Sequence, residues 1–213
     1  DYRNEEYYNL ILGTDYYINK QNVITLSGFH AFEDENQPSN TNVKIFQNLT
    51  DLISEWDRIE TTTAGNPKYQ YELIYKRDFL DNEDHTFIFS ATGNLFTKEQ
   101  SSSFENKTVF GKSTFNNQKT KTDFGQINHT IKIDYVKPFS DKWEIETGAQ
   151  FTDNDMSNDF EVQDQLDGLF VTNQGLTNVF DFRQKVFGLY GTGSFESDKW
   201  GIKLGLRREQ TNI

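Results

Sequence analysis

In Ile127–Tyr135, INHTIKIDY, the residues Ile127, Ile131, Ile133 and Tyr135 share one parity, while Asn128, Thr130, Lys132 and Asp134 share the other. A period of two places successive side chains on opposite faces of a strand, here one apolar and one polar. The pattern returns in His85–Phe96, where Phe87, Phe89, Ala91, Gly93 and Leu95 alternate with Thr86, Ile88, Ser90, Thr92 and Asn94. It returns again in Trp143–Phe151 and in Trp200–Arg208, where Trp200, Ile202, Leu204 and Leu206 face away from Gly201, Lys203, Gly205 and Arg207. These are strands with one wet and one dry face.

Eight such runs extend along the chain, over 6–18, 23–33, 68–78, 85–97, 122–136, 143–153, 180–195 and 200–211. The connections alternate in length. Short polar turns sit at Asn19–Asn22, Phe79–Asp84, Lys137–Lys142 and Glu196–Lys199, and long polar loops are expected at about 34–67, 98–121 and 154–179. The last two short turns share the letters Ser-Asp-Lys-Trp, at Ser140–Trp143 and Ser197–Trp200, each continuing as Trp-x-Ile-x-x-Gly. Such spacing describes a meander whose tight turns gather at one edge. The best helical candidate is Val43–Ile59, where Ile45, Phe46, Leu49, Leu52, Ile53 and Trp56 recur at spacings of three and four.

Strand length separates a soluble sheet from a membrane one. Soluble strands run about 5–6 residues, whereas a tilted crossing of a bilayer takes about 9–11, and most of these runs reach the second range. Aromatic residues flank every short turn: Tyr16, Tyr17, Tyr75, Phe79, Tyr135, Phe139, Trp143 and Trp200. Rings with a polar edge favour the headgroup level, so these eight are expected as an interfacial girdle facing outer-membrane lipid.

Composition agrees. The 213 residues carry 34% hydrophobic residues, below the norm for a globular core, yet 15% aromatic ones, which argues against disorder. An architecture touching lipid outside and water inside needs no two-sided core. A net charge of −12 leaves no basic stripe for nucleic acid, and the lack of Cys excludes disulfide scaffolds, zinc–thiolate sites and thiol nucleophiles. A chain opening on Asp1 is expected to be a processed product or a piece of something larger.

Candidates for chemistry are few, and no enzyme activity, cofactor or metal is expected. The acidic stretch Asp153–Asp167 lacks the Gly and the terminal Glu of a calcium loop, so a solvated loop is its plainer reading. His30, His85 and His129 stand far apart. Glu72, Lys76, Lys132, Asp134, Glu144, Glu146, Lys203, Arg207 and Glu209 take the wet parity, as residues of a hydrated lumen would. In the 34–67 loop, Phe46, Leu52 and Trp56 are apolar residues in need of a partner, either the barrel mouth or a ligand from outside the cell.

Lys68–Phe79 (KYQYELIYKRDF), His129–Phe139 (HTIKIDYVKPF) and Trp200–Thr211 (WGIKLGLRREQT) resemble the barrel of Bacteroidetes-type TonB-dependent outer-membrane receptors. Asp134-Tyr135-Val136-Lys137-Pro138 resembles that family's strand end before a periplasmic turn, and Gly205–Thr211 its Gly-Leu-Arg-x-Glu-x-Thr strand. No stretch resembles the family's plug or TonB-contacting box, and Thr211-Asn212-Ile213 lacks its terminal aromatic. The resemblance implies an all-β fold, an antiparallel up-and-down meander of about eight long strands, forming part of a transmembrane β-barrel of roughly twenty-two. It implies a bacterial outer-membrane location, short periplasmic turns and long extracellular loops. Ligand uptake would involve outer-membrane lipid, further barrel strands and a plug as partners, with TonB reached only through other segments. Two alternatives stand beside it: a complete eight-stranded barrel with an adhesive or structural role, and a soluble β-rich glycan-binding module.

Overall fold

The computed structural model describes residues 4–112 and 116–213. Ten strands follow one another with no helix among the described residues: β1 (Asn4–Asn19), β2 (Asn22–Gln47), β3 (Asp51–Gly65), β4 (Lys68–Asp78), β5 (Thr86–Phe110), β6 (Gln118–Ser140), β7 (Trp143–Leu166), β8 (Leu169–Thr172), β9 (Asn178–Ser197) and β10 (Trp200–Asn212). All belong to one antiparallel sheet of order β1-β2-β3-β5-β6-β7-β9-β10, with β4 between β2 and β5 and β8 added to β7.

The two strands off the main path have simple physical origins. β3 and β4 are two halves of one crossing: the first half of β2 pairs with β4 and the second half with β3, and β5 does the same. The break falls at Asn66-Pro67, where proline has no N–H for the ladder. Local bonds close the gap, with Asn66 N donating to Glu33 O at 2.8 Å and Thr97 N to Pro67 O at 3.2 Å. β8 is a short return strand at the tip of β7, turned by Asp167 and Gly168 at φ 49° and 83°. Eight crossings remain, each containing one of the alternating runs.

The strands run much further than those runs. β2, β5, β6, β7 and β9 hold 26, 25, 23, 24 and 20 residues. The segments 34–67, 98–121 and 154–179, expected as loops, are therefore mostly strand, with residues 113–115 lying outside the described part. They keep pairing because Thr, Ser, Asn and Gln complete the ladder as readily as apolar residues when both faces are wet. The helix expected over Val43–Ile59 is likewise replaced by the β2–β3 hairpin. Its three-and-four spacing arises from two strands meeting across a turn, with Phe46 opposite Leu52 and Val43 opposite Trp56.

The sheet is one layer thick. Among the described residues no large side chain is fully buried, and Ala31, Trp56, Ala64 and Val162 are the buried apolar ones. Near the turn of β7, Trp143, Ile145 and Thr147 are exposed while Glu144 and Glu146 between them are half-buried, so there the half-buried set is the polar one. Side chains crowd on the concave side of a curled sheet, so the sheet curls toward its wet face. β1 pairs only with β2, and β10 only with β9. Every residue of both strands is exposed.

The β2–β3 turn places Asn48 at φ 51° and Leu49 at φ 67°. Two successive positive φ values match the tight hairpin turn that prefers Asn-Gly, and left-handed backbone costs a branched residue about 1–2 kcal/mol. Leu49 is 94% exposed, so its side chain offers little compensation. Leu49→Gly should stabilise this hairpin by about 1 kcal/mol. Hydrogen-exchange protection of residues 44–55 should rise in the variant; unchanged or lower protection would contradict the turn assignment.

Candidate functional surfaces of the barrel wall

Register assigns each side chain to a face. One row runs Tyr16, Ile24, Tyr75, Phe89, Ile133, Ala149, Leu189 across seven strands, each residue opposite the next. The next row runs Thr14, Leu26, Leu73, Ala91, Ile131, Phe151, Phe187. Toward the turns, Phe195 lies opposite both Trp143 and Ile202, and Gly193 opposite both Ile145 and Leu204. No charge interrupts these rows across the seven strands; on β10 the first row meets Arg208, opposite Leu189, and the second meets Gln210, opposite Phe187. On β7 the belt runs from Trp143 to Phe151, about 27 Å along the strand, or about 20 Å of height at a 40° tilt. An outward apolar band of about 25 Å is what a bilayer core requires. Beyond it the same face becomes ionic, with Asp153 opposite Lys185 and Asp155 opposite Arg183.

The turn-side aromatics divide by face. Tyr16, Tyr75, Tyr135, Trp143 and Trp200 lie on the apolar face, and Phe195 packs on Trp143 at 4.7 Å and on Trp200 at 5.3 Å. Phe139 is exposed beside the β6–β7 turn. Tyr17, opposite Val23, falls on the wet face. A second aromatic group lies at the far margin of the belt: Tyr8 stacks on Phe32 at 5.6 Å and Tyr69 on His30 at 4.6 Å. Sequence reading did not single it out, although Tyr69 and Tyr71 at i, i+2 already share a face.

Two tyrosines clasp three strands by lying across a glycine. On the outer face Tyr71 of β4 crosses Gly93 of β5 and bonds His129 Nδ1 of β6 at 2.9 Å. A Cβ at Gly93 would sit 2.2 Å from that ring. On the inner face Tyr190 of β9 crosses Gly148 of β7 and donates to Asp134 of β6. Only glycine leaves room for the ring at these two crossings.

The inner face carries the wet set. Lys132 pairs with Asp134 at 2.8 Å, Lys203 with Glu146 at 2.8 Å, and Arg207 with Glu209 at 2.6 Å. Lys76 lies 2.9 Å from Asp78, Ser27 Oγ donates to Glu72 at 3.4 Å, and Glu144 shares the parity of Glu146. At the β3–β4 break, Glu35 is 7% exposed, receives the Asn66 amide, and lies 3.4 Å from Lys98.

Above the belt the inner face changes to rings and amides. One row holds Asn94, Asn128, Asn154 and Gln184, and the next Phe96, Gln126, Met156 and Phe182. Above these come Lys98, Phe124, Asn158 and Phe180, then Gln100, Thr122, Phe160 and Asn178. Of the loop candidates, Trp56 is buried at 4%, while Phe46 is 49% exposed opposite Leu52 near the hairpin tip. In Asp153–Asp167 the carboxylates are spread along a strand rather than gathered. Asp153 meets Arg183 at 3.0 Å, and Gln118 and Asn173 donate to Asp164, holding its carboxyl below the ordinary aspartate value.

At the tight-turn edge three connections span two residues, whereas β4–β5 spans seven, Phe79–His85. His85, 4% exposed, stacks on Phe79 at 3.9 Å. Its Nδ1 lies 2.6 Å from Asp81 Oδ1, and its Nε2 lies 2.9 Å from Tyr135 Oη. With Asp81 ionised, Nδ1–H donates to the carboxylate and the tyrosine O–H donates to Nε2. The relay pins the turn to β6.

A single curled sheet, apolar outside between two aromatic margins and charged inside, defines the wall of a transmembrane β-barrel. Residues 78–213 match the family model of the outer membrane protein beta-barrel family. The chain belongs to that family and is located in the bacterial outer membrane. No curated protein matches the chain.

The two faces should respond oppositely to charge. Ile133→Arg, on the belt, should cost about 2–4 kcal/mol if it lies near the midplane, whereas Thr130→Arg, on the wet face, should be nearly neutral. Unfolding titrations in reconstituted membranes read both, and equal penalties would overturn the face assignment. The turn should respond to acid. The His85 hydrogen bond holds the Asp81 carboxyl below the ordinary aspartate value. A depressed folded-state value stabilises above the unfolded value and is lost as pH falls through the folded one. Protection factors across residues 79–85 should therefore fall below about pH 4. Asp81→Asn should abolish that acid step; an unchanged acid profile in the variant would remove Asp81 from the latch.

Proposed function

We propose that this chain forms part of the wall of a TonB-dependent receptor that takes up a ligand across the outer membrane, with the extracellular hairpins making the first capture. The observation that carries this reading is the pair of open edges: eight crossings leave β1 and β10 each paired on one side only. Unpaired backbone groups within hydrocarbon cost several kcal/mol each. Both edges therefore need partner strands, and a barrel of more strands has a lumen wide enough for a solute. The long hairpins support capture, because β7 continues about 43 Å along the strand beyond the ionic margin at Asp153. Its parts divide the work: belt to lipid, charged inner face to water, hairpins to the outside.

The rival reading, an autonomous eight-stranded barrel, requires β1 to pair with β10. With no native cysteine in this chain, Leu12→Cys and Leu204→Cys on the two edges give a clean test in the intact protein in its membrane. The receptor reading expects no disulfide between them; quantitative bonding would establish closure at eight strands. For uptake, medium depletion by expressing cells is compared by mass spectrometry with and without a protonophore. A solute whose depletion needs both the protein and the proton gradient supports the receptor, and identical depletion in deletion cells would sink it.

A further inference from the structure

We infer that the inner face of the extracellular extension, formed by β5, β6, β7 and β9, is a binding platform for an uncharged, polyhydroxylated ligand of the oligosaccharide class. The inference names a ligand class for the receptor reading above and rests on it for the route of entry. Its basis is the arrangement of rings and amides. Phe124 lies opposite Asn158, and Phe160 opposite Asn178. Gln126 and Phe182 flank Met156 in the neighbouring row. Across the four rows the rings and amides interleave over about 14 Å by 20 Å, room for a few sugar rings.

The amides are unoccupied. The side chains of Gln126, Asn158, Asn178 and Gln184 make no hydrogen bond with any described residue, unlike Asn128, which donates to Asn154. Each free carboxamide offers donors and an acceptor at once, the complement of a hydroxyl that does both. The rings add flat apolar faces with negative π density, suited to the C–H faces of a pyranose. Phe180 is 46% exposed, so contact surface is open. Charge recognition is lacking: across these rows Lys98 is the one ionisable side chain, and it is committed to Glu35 at 3.4 Å. A neutral face beside ionic margins admits a neutral ligand at low desolvation cost, whereas an anion or cation would leave its charge unpaired.

The test uses the full-length protein, purified in detergent, on an array of immobilised neutral oligosaccharides, acidic oligosaccharides and peptides. Retention confined to neutral oligosaccharides is expected. Phe124→Ala with Phe182→Ala should weaken it by about tenfold or more, with heat-modifiable migration confirming the fold. If that pair fails to fold, Asn158→Leu decides, since it removes only a half-buried amide with no partner among the described residues and should also lower retention. No retention, retention of acidic oligosaccharides or peptides instead, or neutral retention undiminished by the substitutions would overturn the platform. Binding in detergent needs no proton gradient. Retained binding with gradient-independent uptake would therefore count against the receptor alone, and absent binding with gradient-dependent uptake against the platform alone.

Discussion

A backbone inside hydrocarbon has no water to bond, so every N–H and C=O must find a partner in the protein. The rest of this molecule depends on that constraint. Neighbouring crossings stay paired through the belt, with a register shift at its turn-side margin between Pro138 and Ser140, and the strand break at Asn66-Pro67 falls at its upper margin beside Lys68 and Glu33. There Asn66 N and Thr97 N bond local carbonyls, and Glu33, Glu35, Lys68 and Lys98 supply polar partners. Two-sided burial is not required once the ladder is complete, which is why a sheet with almost no core can be stable. The stabilising partner of the apolar rows is lipid.

The same constraint explains which parts of the fold were readable from sequence. Where one face meets lipid, alternation is enforced, and the runs at 122–136, 143–153 and 200–211 coincide with crossings. Above the belt both faces are wet, and the enforcement stops. Thr61-Thr62-Thr63 and Ser101-Ser102-Ser103 lie opposite one another in β3 and β5, yet six hydroxyl residues have no parity to read. The chain there looks like loop and folds as strand. Val43–Ile59 misleads for a related reason: a helical spacing and a hairpin spacing coincide when apolar residues cluster near a turn.

Surfaces depend on register, which the residues do not state. The ring–amide rows exist only because β6 and β7 pair so that Phe124 meets Asn158 rather than Ser157; a slip by one residue would send the rings to the outer face. The glycine clasps are equally hidden. Gly93 and Gly148 look like ordinary strand glycines, and their role emerges only when Tyr71 and Tyr190 are seen lying across them. Each clasp couples its three strands at a fixed register, because the ring fits over one gap. The clasps therefore help to hold the registers on which both faces rely.

The clasps also bear on how a long, coreless hairpin system keeps its shape above the membrane. Its strands lose lipid as a packing partner at the ionic margin, and from there hydroxyl and amide pairs maintain order. Thr62 meets Ser102 at 2.7 Å, and Arg58 lies over Phe104 at 4.3 Å while reaching Gln118. Each such cross-strand pair contributes about 0.2–1 kcal/mol, so the extension draws its rigidity from the crossings beneath it. A clasp placed just below the ring–amide rows, as Tyr71 over Gly93 to His129 is, fixes β4, β5 and β6 where that support is handed upward. A surface meant to present rings and free amides in a constant pattern needs such a foundation, because none of its own contacts is strong enough to set the pattern.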